Sequence, residues 1–191
     1  MKLYIKNMVT RRCIIVVKDA LEKLGIQYNE VILGEIDLTG HPSEAQLTQL
    51  RSALLSLDLA LLEDKKTILV QQIKTLIIKL IYHSDEPLIK NLSVYLSNQL
   101  HYDYTYMANL FSSVQGITIE KFYICHKIER VKELLMYDEL SLTDIAFNLH
   151  YSSVAHLSAQ FKKVTGLTPT HFKQNMGNKR EVVENVCRDL K

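Results

Sequence analysis

Ser141 to Lys173 reads SLTDIAFNLHYSSVAHLSAQFKKVTGLTPTHFK, and its periodicity decides how the surrounding chain folds. Leu142, Ile145, Ala146 and Leu149 recur at helical spacing and share one face. Ser141 or Thr143 can cap this helix, because a hydroxyl accepts from amides that have no partner in the first turn. His150-Tyr151-Ser152-Ser153 then breaks the period. A second helix follows, with Val154, Leu157, Phe161 and Val164 on its inward stripe. Gly166 ends it, since glycine tolerates the left-handed conformation at a helix C-terminus. Pro169 can begin a closing helix, where its missing amide costs nothing.

Charge is the second signal. Ile145 to Arg180 contains no Asp or Glu, yet holds Lys162, Lys163, Lys173, Lys179 and Arg180, with His150, His156 and His171. Such a surface suits a polyanion, because Lys and Arg release counterions from phosphates. A solvated basic face is the alternative.

Residues upstream repeat the pattern. Leu96-Ser97-Asn98-Gln99-Leu100-His101-Tyr102 parallels Ile145-Ala146-Phe147-Asn148-Leu149-His150-Tyr151. Phe111 to Gly116 parallels Phe161 to Gly166, and Phe122 answers Phe172. The turn between is shorter by about one residue in the first copy, and the whole reads as two copies of one supersecondary unit. Between them, Ile124, Ile128, Val131 and Leu135 fall on one face of a helix.

Ser141 to Lys173 resembles the second helix-turn-helix of the AraC/XylS family of transcription regulators. Ile145-Ala146, Tyr151-Ser152, Phe161-Lys162-Lys163, Gly166, Pro169 and Phe172 carry the likeness, with Lys173 where the family often has Arg. The helix from Ile119 to Tyr137 is similar to that family's rigid linker, with Leu134-Leu135 near its end. The resemblance, over Ile68 to Lys173, implies two recognition helices entering successive major-groove turns about 34 Å apart. It implies double-stranded DNA as the partner, with RNA polymerase and a second copy of the chain as further candidates.

The two copies differ in their candidate DNA contacts. Asn91 to Thr118 has no Lys or Arg, so the first recognition helix must act through Tyr104, Thr105, Tyr106 and Asn109. Hydroxyls and amides reach phosphates or base edges without formal charge, and Asn can pair bidentately with adenine. Tyr102, Tyr104 and Tyr106 read as packing residues before stacking platforms. In the second copy the resemblance places Val154, Ala155, His156 and Ala159 outward, leaving methyl contacts to thymine and one imidazole. Ser152, Ser153, Lys162 and Lys163 are the phosphate candidates.

The first part of the chain has another character. Lys2 to Lys6 alternates as a half-buried strand. Arg11 to Leu24 is a helix, with Ile14, Val17, Leu21 and Leu24 on one face and Gly25 as its stop. Gln27 to Leu38 returns to strand, Gly34 marking a bulge or a turn. Ser43-Glu44-Ala45-Gln46 is a capping box for a helix to about Leu57. Leu59 to Leu62 can be a last strand. This order predicts a ferredoxin-like α+β sandwich over residues 1–63. Its start resembles a heavy-metal-associated domain, which places Met-x-Cys-x-x-Cys after the first strand. Here Met8 and Cys13 are in register, but Thr10 occupies the first cysteine position. One thiolate beside a hydroxyl and two arginines, Arg11 and Arg12, is a poor site for Cu(I) or Zn. The expectation is a sensor's shape without its metal, and no cofactor.

Asp64 can cap a long helix to about Tyr82, whose wide apolar face (Ile68, Ile73, Leu76, Ile77, Leu80, Ile81) is core or a dimer seam. Ser84-Asp85-Glu86-Pro87 stops it. Residues 64–175 are thus expected to form an all-α, tandem helix-turn-helix domain, and 176–191 a polar tail. Three widely spaced cysteines, Cys13, Cys125 and Cys187, suit a reduced cytosolic protein. A hydrophobic fraction of 47% excludes disorder, and no apolar run is long enough to span a bilayer. The phosphate-cradling loops, paired-His motifs and nucleophile elbows of enzymes are missing. The leading expectation is a sequence-specific DNA-binding transcription regulator in the cytoplasm. A metal-handling protein, or an interaction module built on helix-turn-helix units, are the alternatives.

Overall fold

In β1 (Lys2–Lys6) the side chains alternate, and Ile5 points into a core that excludes water completely at that position. The computed structural model describes residues 1–83, 91–137 and 139–175. β1 is followed by α1 (Arg11–Lys23), β2 (Tyr28–Ile32), β3 (Glu35–Leu38), α2 (Glu44–Leu55) and β4 (Ala60–Leu62). The strands form one antiparallel sheet in the order β2-β3-β1-β4. Val17 and Leu21 of α1 and Leu50 and Leu54 of α2 meet Ile5 and Ile36 of the sheet in a single apolar cluster.

Local chemistry accounts for the element ends. Ser43 Oγ accepts from Gln46 N at 3.2 Å while Ser43 N donates to Gln46 Oε1 at 3.0 Å, the expected capping box. α2 stops at Leu55, short of the expected Leu57, because Asp58 adopts a left-handed φ of 57° that turns the chain toward β4. Gly34 makes the β2–β3 turn with φ 76°, and the register irregularity lies between Tyr28 and Glu30 instead.

Asp64 caps α3 (Lys65–Tyr82), its Oδ2 accepting from Thr67 N at 2.9 Å. The buried stripe is Leu69, Val70, Ile73, Ile77, Ile78 and Ile81, rotated from the expected face, with Ile68, Leu76 and Leu80 only half-buried. The chain divides into two compact units inside this helix, one ending at Leu76 and the next beginning at Ile77. The expected stop at Ser84 to Pro87 lies outside the described residues. So do Lys179, Arg180, Cys187 and the rest of the tail.

The second unit contains α4 (Leu92–Leu100), α5 (Tyr104–Gln115), α6 (Ile119–Tyr137), α7 (Leu142–Asn148), α8 (Val154–Thr165) and α9 (Pro169–Asn175). The sequence repeat is a structural repeat. His101 and His150 both turn the chain after the first helix with φ near 58° and 54°. Gly116 and Gly166 both end the second helix, at φ 73° and 78°. Phe111 meets Phe122 edge to face at 5.5 Å, and Phe161 meets Phe172 the same way at 5.4 Å. α6 is 19 residues long, a rod of about 28 Å. Ile128, Val131 and Leu135 of α6 pack with Ile145, Leu157 and Phe161 of the second copy. Glu129 and Lys132, both nearly buried, pair at 2.7 Å, and the Lys132 ammonium lies 5.8 Å from the centre of the Phe172 ring.

Candidate nucleic-acid interface

Each recognition helix starts from a side-chain cap that fixes its first turn. In α5, Asp103 Oδ1 accepts from Tyr106 N at 3.0 Å; in α8, Ser153 Oγ accepts from His156 N at 3.0 Å. The third residue of each helix, Tyr106 or His156, is therefore held at an equivalent place. Each also touches the tyrosine of its own turn. Tyr102 and Tyr106 stack with centroids 5.9 Å apart and planes at 24°. Tyr151 and His156 meet at 5.4 Å and 85°.

On α5, Thr105, Tyr106 and Asn109 are exposed. Tyr104 is half-buried, and its hydroxyl donates to the Glu120 carboxylate of α6. Burial and that bond push the phenol's pKa up, while the phenol's hydrogen bond holds the Glu120 carboxyl below its usual range. The expectation that these tyrosines pack inward holds for Tyr104 alone. Tyr102 and Tyr106 are 49% and 47% exposed and pack mainly on each other.

On α8, Ala155, His156, Ala159, Lys162 and Lys163 are exposed, as are Ser152 and Ser153 before it. Val154 is half-buried and packs against the second-copy core. Ser153 is occupied by its cap, and Ser152 Oγ lies 2.9 Å from His156 Nδ1. Lys162 and Lys163 sit in the last turn of α8, where a cation also complements the helix dipole.

The contacts of Lys127 behind this surface escaped the sequence reading. Lys127 of α6 is 9% exposed, with its ammonium 3.9 Å from the centre of the Tyr151 ring. Burial pushes the Lys127 pKa down to about 8, and burial together with that charge also lowers the pKa of His150. Tyr151 is buried, and its hydroxyl donates to Gln160 Oε1 at 2.8 Å. The available signal was spacing: Lys127 adjoins Ile128 and lies four residues from both Tyr123 and Val131, on the inward side of the helix.

The N-terminal position flagged for metal is differently arranged. Thr10 Oγ1 lies 3.2 Å from Cys13 Sγ, and Met8 is wholly buried in the sheet's core. Burial raises the Cys13 pKa, but hydrogen bonds from Thr10 and nearby amides outweigh it and leave the thiol below its ordinary value. Arg11 and Arg12 are exposed. Among the described residues, no cluster of three or more His, Cys, Asp or Glu forms a metal-binding group. Among them also, no helix is long and apolar enough to cross a membrane.

Comparison with known proteins agrees with this geometry. A family model described as a helix-turn-helix domain matches residues 96–175. The chain is 27% identical over 79 residues to the uncharacterized HTH-type transcriptional regulator YtdP of Bacillus subtilis (strain 168), covering 41% of this chain and 10% of that protein. It is 31% identical over 108 residues to an uncharacterized HTH-type transcriptional regulator of Staphylococcus aureus, covering 56% of this chain and 13% of the other. The chain thus spans only about a tenth of the length of the curated relatives it matches. Among solved structures, the C-terminal domain of AraT, a response regulator from Geobacillus stearothermophilus, superposes with a TM-score of 0.50 at 22% identity. The match covers 63% of this chain and 93% of that one, and it establishes a shared fold. Residues 96–175 therefore match a helix-turn-helix domain, and the relatives that share this stretch are named as HTH-type transcriptional regulators.

Proposed function

We propose that the chain is a sequence-specific transcription regulator that holds one DNA duplex with both helix-turn-helix units. The observation that carries this reading is the matched construction of α5 and α8. Each is capped at its start, ends on a left-handed glycine, and presents an aromatic third residue propped by a turn tyrosine. Lys162 and Lys163 supply phosphate contacts, while Thr105, Tyr106, Asn109, Ala155, His156 and Ala159 face base edges. Tyr104 acts indirectly, since its hydroxyl is engaged by Glu120. The rod of α6 spaces the two units.

Residues 64–175 are taken as the DNA-binding region, with α3 as its first helix. Residues 1–63 are taken as a ferredoxin-like domain, supported by the antiparallel order β2-β3-β1-β4 with a helix after β1 and another after β3. Its role is to set oligomeric state or to sense a ligand, and the missing first cysteine disfavours a metal there. RNA polymerase and a second copy of the chain are the protein partners that follow from the family likeness.

The test is duplex selection from a random library, followed by titration at several salt concentrations. A two-part enriched site and a steep loss of affinity with salt are expected. The first copy, which has no Lys or Arg from Asn91 to Thr118, favours one other reading, a protein-interaction module. Flat salt dependence with no enriched site would favour that reading and end this one.

A further inference from the structure

Lys127 is an unusual choice for the inside of a helix. A buried ammonium is costly unless something replaces its water. The neighbouring carboxylates are engaged elsewhere, Glu129 with Lys132 and Glu133 with Arg130. The Lys127 ammonium instead faces two aromatic rings, Tyr151 at 3.9 Å and Tyr123 at 5.5 Å. Ring faces carry negative charge density and attract a desolvated cation strongly. Tyr151 is thereby fixed from the α6 side.

Tyr151 in turn touches the recognition helix at two points. Its hydroxyl donates to Gln160 Oε1, and its ring abuts His156. Ser152 Oγ also lies 2.9 Å from His156 Nδ1. When Ser152 donates to Nδ1, the proton sits on Nε2, which becomes an outward donor suited to a purine N7 or guanine O6. The first copy offers the contrast. Its turn tyrosine, Tyr102, is 49% exposed, whereas Tyr151 is 8% exposed.

We propose that Lys127 is a positioning residue for base recognition: from α6 it clamps Tyr151, and Tyr151 sets the aim of the His156 imidazole. This rests on the DNA-binding reading above, so the experiment separates the two. In the DNA-free 191-residue chain, the His156 ring resonances are compared between wild type, Lys127→Met and Lys127→Arg, with His171 as the internal reference. Binding to a random duplex library is then measured for each at fixed salt.

Lys127→Met is expected to shift the His156 signals and leave those of His171 in place. It is also expected to lower discrimination at one base pair about tenfold, the same pair affected by His156→Ala. Affinity for non-specific duplex should be unchanged, and Lys127→Arg should retain both properties. If Lys127→Met unfolds, Lys127→Gln replaces it with the same expected outcomes. Unmoved His156 signals overturn the proposal, as does an equal loss on all sequences. Unchanged discrimination in the variant also overturns it. A wild-type protein without sequence preference would overturn the DNA reading instead, and the resonances alone would then decide the clamp.

Discussion

Phe172 on α9 meets Phe161 on α8 edge to face, with ring centroids 5.4 Å apart and planes at 72°. Phe122 and Phe111 repeat the relationship at 5.5 Å and 67° in the other copy. In both units the helix after the recognition helix presses an aromatic ring against its base. The recognition helix is thus held at its N-terminus by a cap and near its C-terminus by a ring.

That arrangement makes Phe161 a larger contributor than its partner. Phe161 is fully buried, and Phe172 only half-buried. Phe161→Ala should cost about 3–5 kcal/mol, because a large void opens in a packed core. Phe172→Ala should cost less, as solvent already reaches the ring. Urea denaturation followed by helical circular dichroism measures both. An equal cost at the two positions would contradict the packing described.

Much of this was legible from the chain itself, for identifiable reasons. Gly166, Pro169 and Ser141 act through local rules, so their positions alone mark helix ends. The repeat was visible because Phe111 and Phe161, each at the same distance before a glycine, face the same local demand. Lys127 was harder. A cation on a helix is normally solvated, and its burial depends on Tyr123 and Tyr151, which only the fold brings together. The Tyr104–Glu120 bond joins residues 16 apart across α5 and α6, beyond the reach of periodicity. The buried face of α3 differs from the expected one because apolar residues run consecutively at Ile68-Leu69-Val70 and Leu76-Ile77-Ile78, and packing selects Leu69, Val70 and Ile78 over Ile68 and Leu76.

Gly34 gives a backbone prediction. Its φ of 76° lies in the left-handed region, and an added Cβ would come 2.8 Å from Thr75 Oγ1. Gly34→Ala should lose on the order of 1–3 kcal/mol from conformation alone, with the clash added. Thr75→Ala removes the clashing oxygen, so the double variant should recover the clash and not the φ strain. A double-mutant cycle on melting curves reads this coupling. Strict additivity would mean the turn and α3 do not touch there.

Tyr104 and Glu120 predict a pH effect with a definite sign. The Glu120 carboxyl is held below its ordinary value, so the folded state binds fewer protons than the unfolded chain in acid. Stability from this contact is present above the ordinary carboxyl value of 4.5 and is lost as pH falls through the folded value. Tyr104→Phe should reduce that acid-side slope, leaving the part that Thr118 and the helix amide supply, and leave duplex affinity nearly unchanged, since the hydroxyl faces Glu120. Stability against pH from 6 down to about 3 tests it; an unchanged slope in the variant would refute the linkage.

The Thr10–Cys13 contact yields a gain-of-function test. The two side chains lie 3.2 Å apart at the start of α1, close enough for both to reach one soft ion if both were thiolates. Thr10→Cys should bind about one Cu(I) per chain in a chelator competition, where the wild type binds none stoichiometrically. Adding Cys13→Ser to that variant should abolish the binding. Equal binding by wild type would show that the hydroxyl suffices or that the ion sits elsewhere.

The last prediction separates affinity from specificity between the two copies. The first copy has no Lys or Arg from Asn91 to Thr118, while the last turn of α8 carries Lys162 and Lys163. Each phosphate neutralised contributes about 0.9 to the slope of log affinity against log salt. Lys162→Ala with Lys163→Ala should therefore reduce that slope by roughly 2 and weaken all duplexes alike. Asn109→Ala should do the reverse. Its amide carries no charge, so the slope should stay fixed while preference at one base pair falls, by about 1–3 kcal/mol if the amide pairs bidentately with adenine. The two variants measured over the same salt series give two separable signatures. If Asn109→Ala changed the slope, or the lysine pair changed only one position of the site, charge and base reading would not be divided between the copies. The first recognition helix would then need a phosphate contact that its exposed Thr105, Tyr106 and Asn109 supply without a cation.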